Sequence, residues 1–218
     1  MKYRDKTLKI TCDGGAATGK TTGAKLIAKK YKLKFLSSGL LYRYASYLII
    51  NKKPKNKITF LKKKFRVLNY KKITNLNLHT PKISTQSAII AKELSIRNIL
   101  KQYQKKFISK NKRCVLEGRD ASTKILPTSD LKFFFICNLN VAARRRYNEL
   151  KSKNFKVKFS NVKNALKLRD ILDKKRKHSP LKKHKNAIVV DTGKLNKRKM
   201  LIKMSSNVDK FFNNKYVK

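Results

Sequence analysis

A ten-residue stretch near the N-terminus carries residue types that bind phosphate. Residues 13 to 22 fit the pattern G-x-x-x-x-G-K-[ST], with Gly14, Gly19, Lys20 and Thr21 in its fixed positions. Glycines let the backbone turn its N–H groups inward, and a helix start adds a positive dipole end. The pattern predicts that Lys20 reaches the terminal phosphates and that the Thr21 hydroxyl binds Mg²⁺. We expect ATP to be held by the loop residues Gly14, Gly15, Ala16, Ala17, Thr18, Gly19, Lys20, Thr21 and Thr22.

The residues on either side of this loop suit it. Apolar and polar residues alternate from Leu8 to Asp13, which indicates a short strand before the loop. Ala24, Ile27 and Ala28 share one helical face after it. A strand, a glycine-rich loop and a helix in this order are the context that the motif requires.

The rest of the chain alternates short apolar strands with helices. Such alternation predicts an α/β domain with a parallel sheet. Residues 65–84 alternate polar and apolar residues, which favours a small antiparallel insertion, and Thr85 is expected to open a long helix. Residues 156–184 are highly charged, and we expect them to form a mobile lid. The predicted strands lie near residues 8–13, 35–38, 114–117, 131–137 and 187–191.

The chain is strongly basic, with 58 Lys and Arg against 11 Asp and Glu and a formal net charge of +47. Clustered cations would suggest a nucleic-acid binder, but here the lysines are scattered over almost every segment. We interpret them as compositional drift and expect no specific nucleic-acid partner. Because 46 of the basic residues are Lys and 12 are Arg, each arginine is a candidate for bidentate phosphate binding, which lysine cannot copy.

Cysteine use and hydropathy predict a cytoplasmic protein. Cys12, Cys114 and Cys137 each lie in an apolar run without metal-binding spacing, as expected of core thiols in a reducing compartment. No apolar run is long enough to span a membrane, and residues 1–6 lead directly into the first strand without a signal-peptide pattern.

Several further motifs resemble those of bacterial cytidylate (CMP/dCMP) kinases, in the same order from about residue 8 to residue 195. The resemblance implies a P-loop fold with a five-stranded parallel sheet flanked by helices, a small monophosphate-binding insertion and a lid. It implies a core of residues 1–57, 85–155 and 185–218, an insertion at 58–84 and a lid at 156–184. The motifs are the phosphate loop, Ser37 to Arg43, Leu116 to Asp120, Arg144 to Arg146, Arg169 to Leu181 and Val189 to Thr192.

The resemblance also implies roles for individual residues. Arg43 and Arg119 match arginines that hold the acceptor phosphate, and Ser38 and Tyr42 match residues that line the acceptor site. Arg97 and Asp120 match the pair that reads cytosine, and Asp173 matches a contact to the ribose. The catalytic group implied in this way consists of Lys20, Arg119, Arg169 and Arg176, the last two closing on the phosphates from the lid.

Two positions depart from the family's usual pattern, and two motifs allow a second interpretation. Ser37 and Ser84 stand where the family usually has Asp and Arg, which bears on acceptor selectivity rather than on phosphoryl transfer. The resemblance implies that Arg144 to Arg146 lie near ATP and leaves open which of them contacts it; we assign the contact to the middle residue, Arg145. Such a run is also typical of a solvated helix face. Asp170 is expected to form a salt bridge inside the lid.

These observations predict a monomeric kinase that uses ATP and Mg²⁺ to phosphorylate CMP and dCMP. Phosphoryl transfer asks the protein mostly for positioning and charge neutralisation, which fits a motif set rich in arginine and without histidine. Two alternatives stay open from the sequence. One is a P-loop kinase for UMP, AMP or a metabolite hydroxyl, and the other is a nucleic-acid-binding P-loop ATPase.

Overall fold

Five parallel strands form the centre of the computed structural model, which describes residues 5–216. In chain order they are β1 (Leu8–Gly14), β2 (Lys34–Ser37), β3 (Arg113–Gly118), β4 (Leu131–Ile136) and β5 (Ile188–Asp191). Their order across the sheet is β2-β3-β1-β4-β5, so β1 pairs with β3 on one side and with β4 on the other. The predicted α/β fold with a five-stranded parallel sheet is confirmed. Residues 1–4, part of the N-terminal segment considered for a signal peptide, lie outside the described residues.

Alternation along the strands sends successive side chains to opposite layers of helices. Ile10, Val115 and Phe133 pack in one core with helices α1 (Lys20–Lys30) and α9 (Lys197–Tyr216). Cys114 and Leu116, the neighbours of Val115, pack instead against Ile108 of α6 (Leu94–Lys110). Alternate side chains of each strand point to opposite faces of the sheet, so both faces need apolar residues when helices cover both. The remaining α-helices are α2 (Ser38–Lys52), α3 (Lys57–Arg66), α4 (Tyr70–Thr74), α5 (Pro81–Ile90), α7 (Leu139–Lys151) and α8 (Phe159–Lys175). A short π-helix, Ala121–Ile125, lies between β3 and β4.

The antiparallel insertion expected at residues 65–84 is wrong, because this region is helical. Leu61 and Phe65 are four residues apart on α3, and both are buried against α2 and α6. The polar residues that resembled strand alternation are helix caps: the side chains of Asn69 and Thr80 accept hydrogen bonds from Lys71 N and Ile83 N. A cap satisfies a backbone N–H that the first helical turn leaves free, so short polar residues mark helix starts here.

The single long helix expected from Thr85 is also wrong. Helix α5 begins at Pro81, capped by Thr80, and ends at Ile90, after which α6 starts at Leu94. Proline at the first helical position suits a helix start, since its missing N–H would have no intrahelical partner there. The break at residues 91–93 separates two helices. The spacing of apolar residues continues across this break, which is why it predicted one continuous helix.

The charged segment predicted to be a lid contains an ordered helix, α8. Val162 and Leu166 are buried on one face of it and pack against Ala142, Ala143 and Leu150 of α7. These apolar contacts fix α8 beside α7, while its other face carries the arginines and carboxylates described below. Within residues 5–216, no helix has both the length and the apolar character that crossing a bilayer would need.

Candidate functional site

The predicted phosphate loop connects the end of β1 to the start of α1, and two of its glycines are required by the backbone. A Cβ on Gly14 would lie only 2.4 Å from the carbonyl oxygen of Phe135, because β1 and β4 approach closely there. Gly19 has a φ of 80° immediately before α1, a conformation that glycine adopts without strain. Inside the loop, the Gly15 carbonyl accepts hydrogen bonds from Thr18 Oγ1 at 3.0 Å and from Lys20 Nζ at 2.9 Å.

Lys20 is a buried cation in a positively charged environment. Burial lowers the pKa of its ammonium group to about 7; the charges of Arg119 and Arg169 act in the same direction, against the opposing charge of Glu117. Its Nζ lies 3.6 Å from Glu117 Oε1. Since a buried charge is stable only when it is compensated, the site favours a negative group beside Lys20.

Two buried carboxylates at this edge of the sheet received no role from the sequence. Glu117, next to Lys20, accepts a 2.5 Å hydrogen bond from Ser37 Oγ. Asp13 accepts hydrogen bonds from the Ala121 and Ser122 backbone N–H groups at 2.8 and 2.7 Å and from Ser122 Oγ at 2.6 Å. Burial raises the pKa of Asp13 to about 6, although the Ser122 hydrogen bonds oppose the shift. The sequence did contain a signal for these two residues: the chain has only 11 acidic residues, so each of them is a candidate for a specific role.

Arg97 and Asp120, the residues expected to read a base, are paired in the structure. Arg97 Nη2 donates a 2.5 Å hydrogen bond to Asp120 Oδ2, and both side chains are buried. They line a cavity that also contains Tyr42, whose ring centroid is 5.7 Å from the Arg97 guanidinium carbon. Gln104, also in the cavity wall, donates a 2.5 Å hydrogen bond to Ser38 Oγ. The four sequence-predicted residues Ser38, Tyr42, Arg97 and Asp120 therefore lie together.

Asp173 of α8 connects two of the predicted arginines. Its Oδ2 accepts a 2.9 Å hydrogen bond from Arg119 Nε, and its Oδ1 accepts one from Arg176 Nη1 at 3.3 Å. Burial pushes the pKa of Asp173 upward, but Arg119 and Arg169 hold it below its ordinary value. The helix predicted to be a lid is thus joined to the turn after β3 through a charged pair.

A second group of arginines carries more positive charge than its neighbours neutralise. Arg43 Nη1 donates to Ser84 Oγ at 2.6 Å and to the Leu78 carbonyl at 3.1 Å. Burial, together with the charges of Arg169 and Arg146, lowers the pKa of Arg43 to about 9. The buried Arg169 Nε finds no hydrogen-bond partner among residues 5–216. A buried donor without a partner, surrounded by other guanidinium groups, fits a bound polyanion.

The three consecutive arginines of α7 have three different environments. Arg145 donates to Thr192 Oγ1 at 2.8 Å and to the Thr192 carbonyl at 2.7 Å, and Thr192 Oγ1 in turn donates to the Thr18 carbonyl of the loop. Arg146 donates to the His79 carbonyl at 3.0 Å, on the side of Arg43. Arg144 lies 4.6 Å from the ring centroid of Phe159. The run is not merely a solvated helix face.

The expected salt bridge of Asp170 inside the lid is wrong. Asp170 Oδ1 accepts a 2.9 Å hydrogen bond from the backbone N–H of Ala16, in the phosphate loop. The prediction failed because the two residues are 154 positions apart, and only the packing of α8 over the loop brings them together.

Few side chains near the phosphate loop could bind a metal ion, and the Thr21 hydroxyl is the one that the sequence predicts. Thr21 is exposed at the first turn of α1, beside the loop. Nowhere in residues 5–216 do three or more His, Cys, Asp or Glu side chains form a group able to hold a metal ion. A Mg²⁺ that takes one protein hydroxyl and keeps waters and substrate phosphates as its other ligands is compatible with this arrangement.

Comparison with known proteins adds a sequence relationship over most of the chain. A family model described as cytidylate kinase matches residues 10–210. A cytidylate kinase of Thermosipho melanesiensis is 39% identical over 198 residues, which cover 86% of this chain and 90% of that protein. A cytidylate kinase of Clostridium tetani is 33% identical over 211 residues, covering 92% and 93%.

Solved structures support the fold at much lower identity. A shikimate kinase from Bacteroides thetaiotaomicron superimposes with a TM-score of 0.53 at 11% identity, covering 93% of this chain and 99% of its own. An uncharacterized protein from Eubacterium ventriosum gives 0.53 at 14% identity, covering 94% and 99%. At such identities the likeness concerns the fold alone.

Proposed function

The chain belongs to the cytidylate kinase family, and we propose on that basis that it transfers the terminal phosphoryl group of ATP to CMP and dCMP. The observation that carries the proposal is the Arg97–Asp120 pair, which lines a cavity. Asp120 is also 3.8 Å from Arg176, at the end of the helix α8 that contacts the phosphate loop through Asp170. This arrangement suits a substrate with a polar base at one end and a phosphate at the other.

The donor would bind at the loop between β1 and α1. The N–H groups of residues 14–22 and the Lys20 ammonium would hold the ATP phosphates, with Arg145 beside the loop as a further contact. The unpaired Arg169 Nε and the depressed pKa of Lys20 both fit a group with several negative charges. Thr21 would hold Mg²⁺, which neutralises charge on the donor phosphates when bound.

The acceptor phosphate would bind between Arg43 and Arg119. Both guanidinium groups are already oriented by neighbours, Arg43 by Ser84 and Arg119 by Asp173. Arg169 and Arg176, from α8 and its C-terminal end, would neutralise charge on the transferred group. Because phosphoryl transfer has a loose transition state, orientation and charge neutralisation supply most of the catalysis, and no general base is needed for a dianionic acceptor.

The cavity at Arg97 and Asp120 would select the base. Cytosine presents a donor amine beside acceptor ring nitrogen and carbonyl groups, which complement a carboxylate beside a guanidinium. Uracil has a carbonyl in place of that amine, so a buried carboxylate would repel it. Ser38 and Tyr42 would complete the wall of the site, and Asp173 would contact the ribose.

The domain limits, cellular location and oligomeric state extend the proposal. We assign residues 1–57, 85–155 and 185–218 to the core, 58–84 to a monophosphate-binding insertion and 156–184 to a lid. We place the enzyme in the cytoplasm as a monomer, a location supported by its free cysteines, of which Cys12 and Cys114 are buried. Analytical ultracentrifugation would measure the oligomeric state.

A panel of acceptors tests the proposed function. The purified chain is incubated with Mg²⁺, ATP and, in separate assays, CMP, dCMP, UMP, AMP or single-stranded RNA, while ADP and the phosphorylated product are both measured. We expect equal amounts of ADP and CDP or dCDP, with kcat/KM for UMP and AMP lower by at least about a hundredfold. Preferred phosphorylation of another acceptor, or RNA-stimulated ATP hydrolysis without monophosphate consumption, would overturn the proposal.

A further inference from the structure

Asp170 occupies the phosphate loop in a way that the proposed reaction does not explain. Its Oδ1 accepts the 2.9 Å hydrogen bond from Ala16 N, and its carboxylate also lies against Gly15. A Cβ added to Gly15 would come within 2.8 Å of Asp170 Oδ2. The carboxylate therefore covers the loop at residues 15 and 16 and depends on the absence of a side chain there.

The position of Asp170 is one that a phosphate oxygen could use. Backbone N–H groups ahead of a helix N-terminus bind anions, and a carboxylate offers them the same negative oxygen acceptors as a phosphate. The charge of Asp170 also acts on Arg119 and Arg169, since it raises the pKa of both against the lowering effect of their burial. Asp170 thus provides part of the negative charge that this arginine-rich site needs.

The location of the contact indicates which phosphate would compete with it. Asp170 shares α8 with Asp173, which binds Arg119 on the acceptor side of the site. Ala16 is four residues before Lys20, so its N–H is at the end of the loop away from the start of α1. The phosphate that reaches toward the acceptor is the terminal one of ATP, and ADP does not have it.

We propose that Asp170 is a positioning residue that mimics the terminal phosphate of ATP at Ala16 and is displaced when that phosphate binds. Two negative groups cannot both take the same N–H at full strength, and they repel each other at short distance. ATP binding must therefore break the bond between α8 and the loop, whereas ADP leaves it in place. The contact consequently lowers the affinity for ATP relative to ADP and couples the position of α8 to the state of the donor.

This inference rests on the proposed function only in taking ATP as the donor. It makes a statement about nucleotide binding that needs no acceptor. The test is calorimetric titration of the full chain with MgATP and with MgADP, for the wild type, D170N and D170A. Asp5→Asn is the charge control, because Asp5 is exposed and precedes the opposite end of β1.

We expect both Asp170 variants to bind ATP about tenfold more tightly than the wild type and ADP within about twofold of it, because both remove the charge that repels the terminal phosphate and D170A also frees the Ala16 N–H. D5N should leave both affinities unchanged, and thermal melting verifies that each variant is folded. The inference is overturned if D170N and D170A bind ATP no more tightly, or if ADP gains as much as ATP. A shifted ATP:ADP ratio in a protein that fails to phosphorylate CMP would support the inference while rejecting the proposed function.

Discussion

Arg97 of α6 and Asp120, in the turn after β3, form a buried 2.5 Å hydrogen bond across 23 positions of sequence. Arg97 also donates to the Ala91 carbonyl at 3.1 Å, so its guanidinium is held on two sides. Arg176 Nη2 approaches the other carboxylate oxygen of Asp120 to 3.8 Å. The pair is therefore oriented by the protein itself, which is the arrangement expected of a site that discriminates between bases.

Replacing Asp120 by Asn should weaken CMP more than ATP. The substitution removes the negative charge that pairs with Arg97. It also replaces one acceptor oxygen of the carboxylate by an NH₂ group, which can only donate to the base. We expect KM for CMP to rise by at least about tenfold, since a buried polar group loses its partner, while KM for ATP stays within about twofold. Steady-state kinetics with each substrate varied in turn measures both. Asp5→Asn, at an exposed position before β1, is the control, and equal weakening of CMP and ATP would make Asp120 a structural residue.

Lys20→Ala should abolish most of the turnover in a protein that stays folded. The side chain is buried beside Glu117 and the loop, where its charge would stabilise the transferred phosphate. We expect kcat to fall by at least about a hundredfold. Lys29→Ala, exposed at the other end of the same helix, removes the same charge and should have little effect. Near-normal turnover of folded Lys20→Ala would contradict the assignment of the loop.

ATP binding should take up a proton at pH 8. The pKa of Lys20 is lowered to about 7 by burial, with the charges of Arg119 and Arg169 acting in the same direction, so its amine is mostly neutral at pH 8 in the free protein. A bound phosphate raises this pKa toward its ordinary value, and Lys20 then becomes protonated. At pH 6 Lys20 is already mostly protonated in the free protein, so its contribution to the proton uptake is much smaller than at pH 8. ATP affinity should accordingly decrease as pH rises above about 7.

Calorimetry in buffers with different ionisation enthalpies measures this proton uptake directly. Lys20→Met is the control, because it keeps much of the side-chain volume and has no titratable group. We expect uptake approaching one proton at pH 8 in the wild type and none in Lys20→Met. Equal uptake in the two proteins would show that another group takes the proton.

Arg43→Lys and Arg119→Lys should impair CMP use although each leaves the net charge at +47. Arg43 contacts Ser84 and the Leu78 carbonyl, and Arg119 contacts Asp173, so both present an oriented planar group that lysine cannot reproduce. We expect kcat/KM for CMP to fall by roughly 2–3 kcal/mol, about thirty- to over a hundredfold, because a misaligned acceptor reacts slowly. Saturation with ATP should be nearly normal.

Arg198→Lys, exposed in α9, is the matched control for these two substitutions. The same kinetic measurements on all three variants separate geometry from charge. If Arg43→Lys and Arg119→Lys behave like Arg198→Lys, the acceptor phosphate binds elsewhere.

The strands and the phosphate loop could be predicted because their signals are local. Alternation over residues 8–13 and the fixed spacing from Gly14 to Thr21 depend only on neighbours in sequence. Parallel strands place their carboxyl ends at one edge, which is why the residues after β1, β2 and β3 lie close together. The grouping of Ser38, Arg119 and Asp120 near the loop follows from that rule alone.

The antiparallel structure expected at residues 65–84 was wrong because a local pattern was ambiguous there. Asn69 and Thr80 are compatible with strand alternation and with helix capping, and the burial of Leu61 and Phe65 against α2 and α6 favours the helices. The sequence contained the caps, but choosing between the two patterns needed the neighbouring helices.

The pairings within the site were decided by the tertiary structure. Arg145 and Arg146 are adjacent in sequence, yet their side chains leave α7 in different directions, one toward Thr192 and the other toward His79. Asp170 reaches Ala16 only because apolar residues of α8 pack on α7 and hold the helix over the loop. The sequence determined which residue types gather at the end of the sheet. Their partners depended on how separately formed helices pack, because a side chain pairs with whatever the packing places within about 3 Å of it, at any distance along the chain.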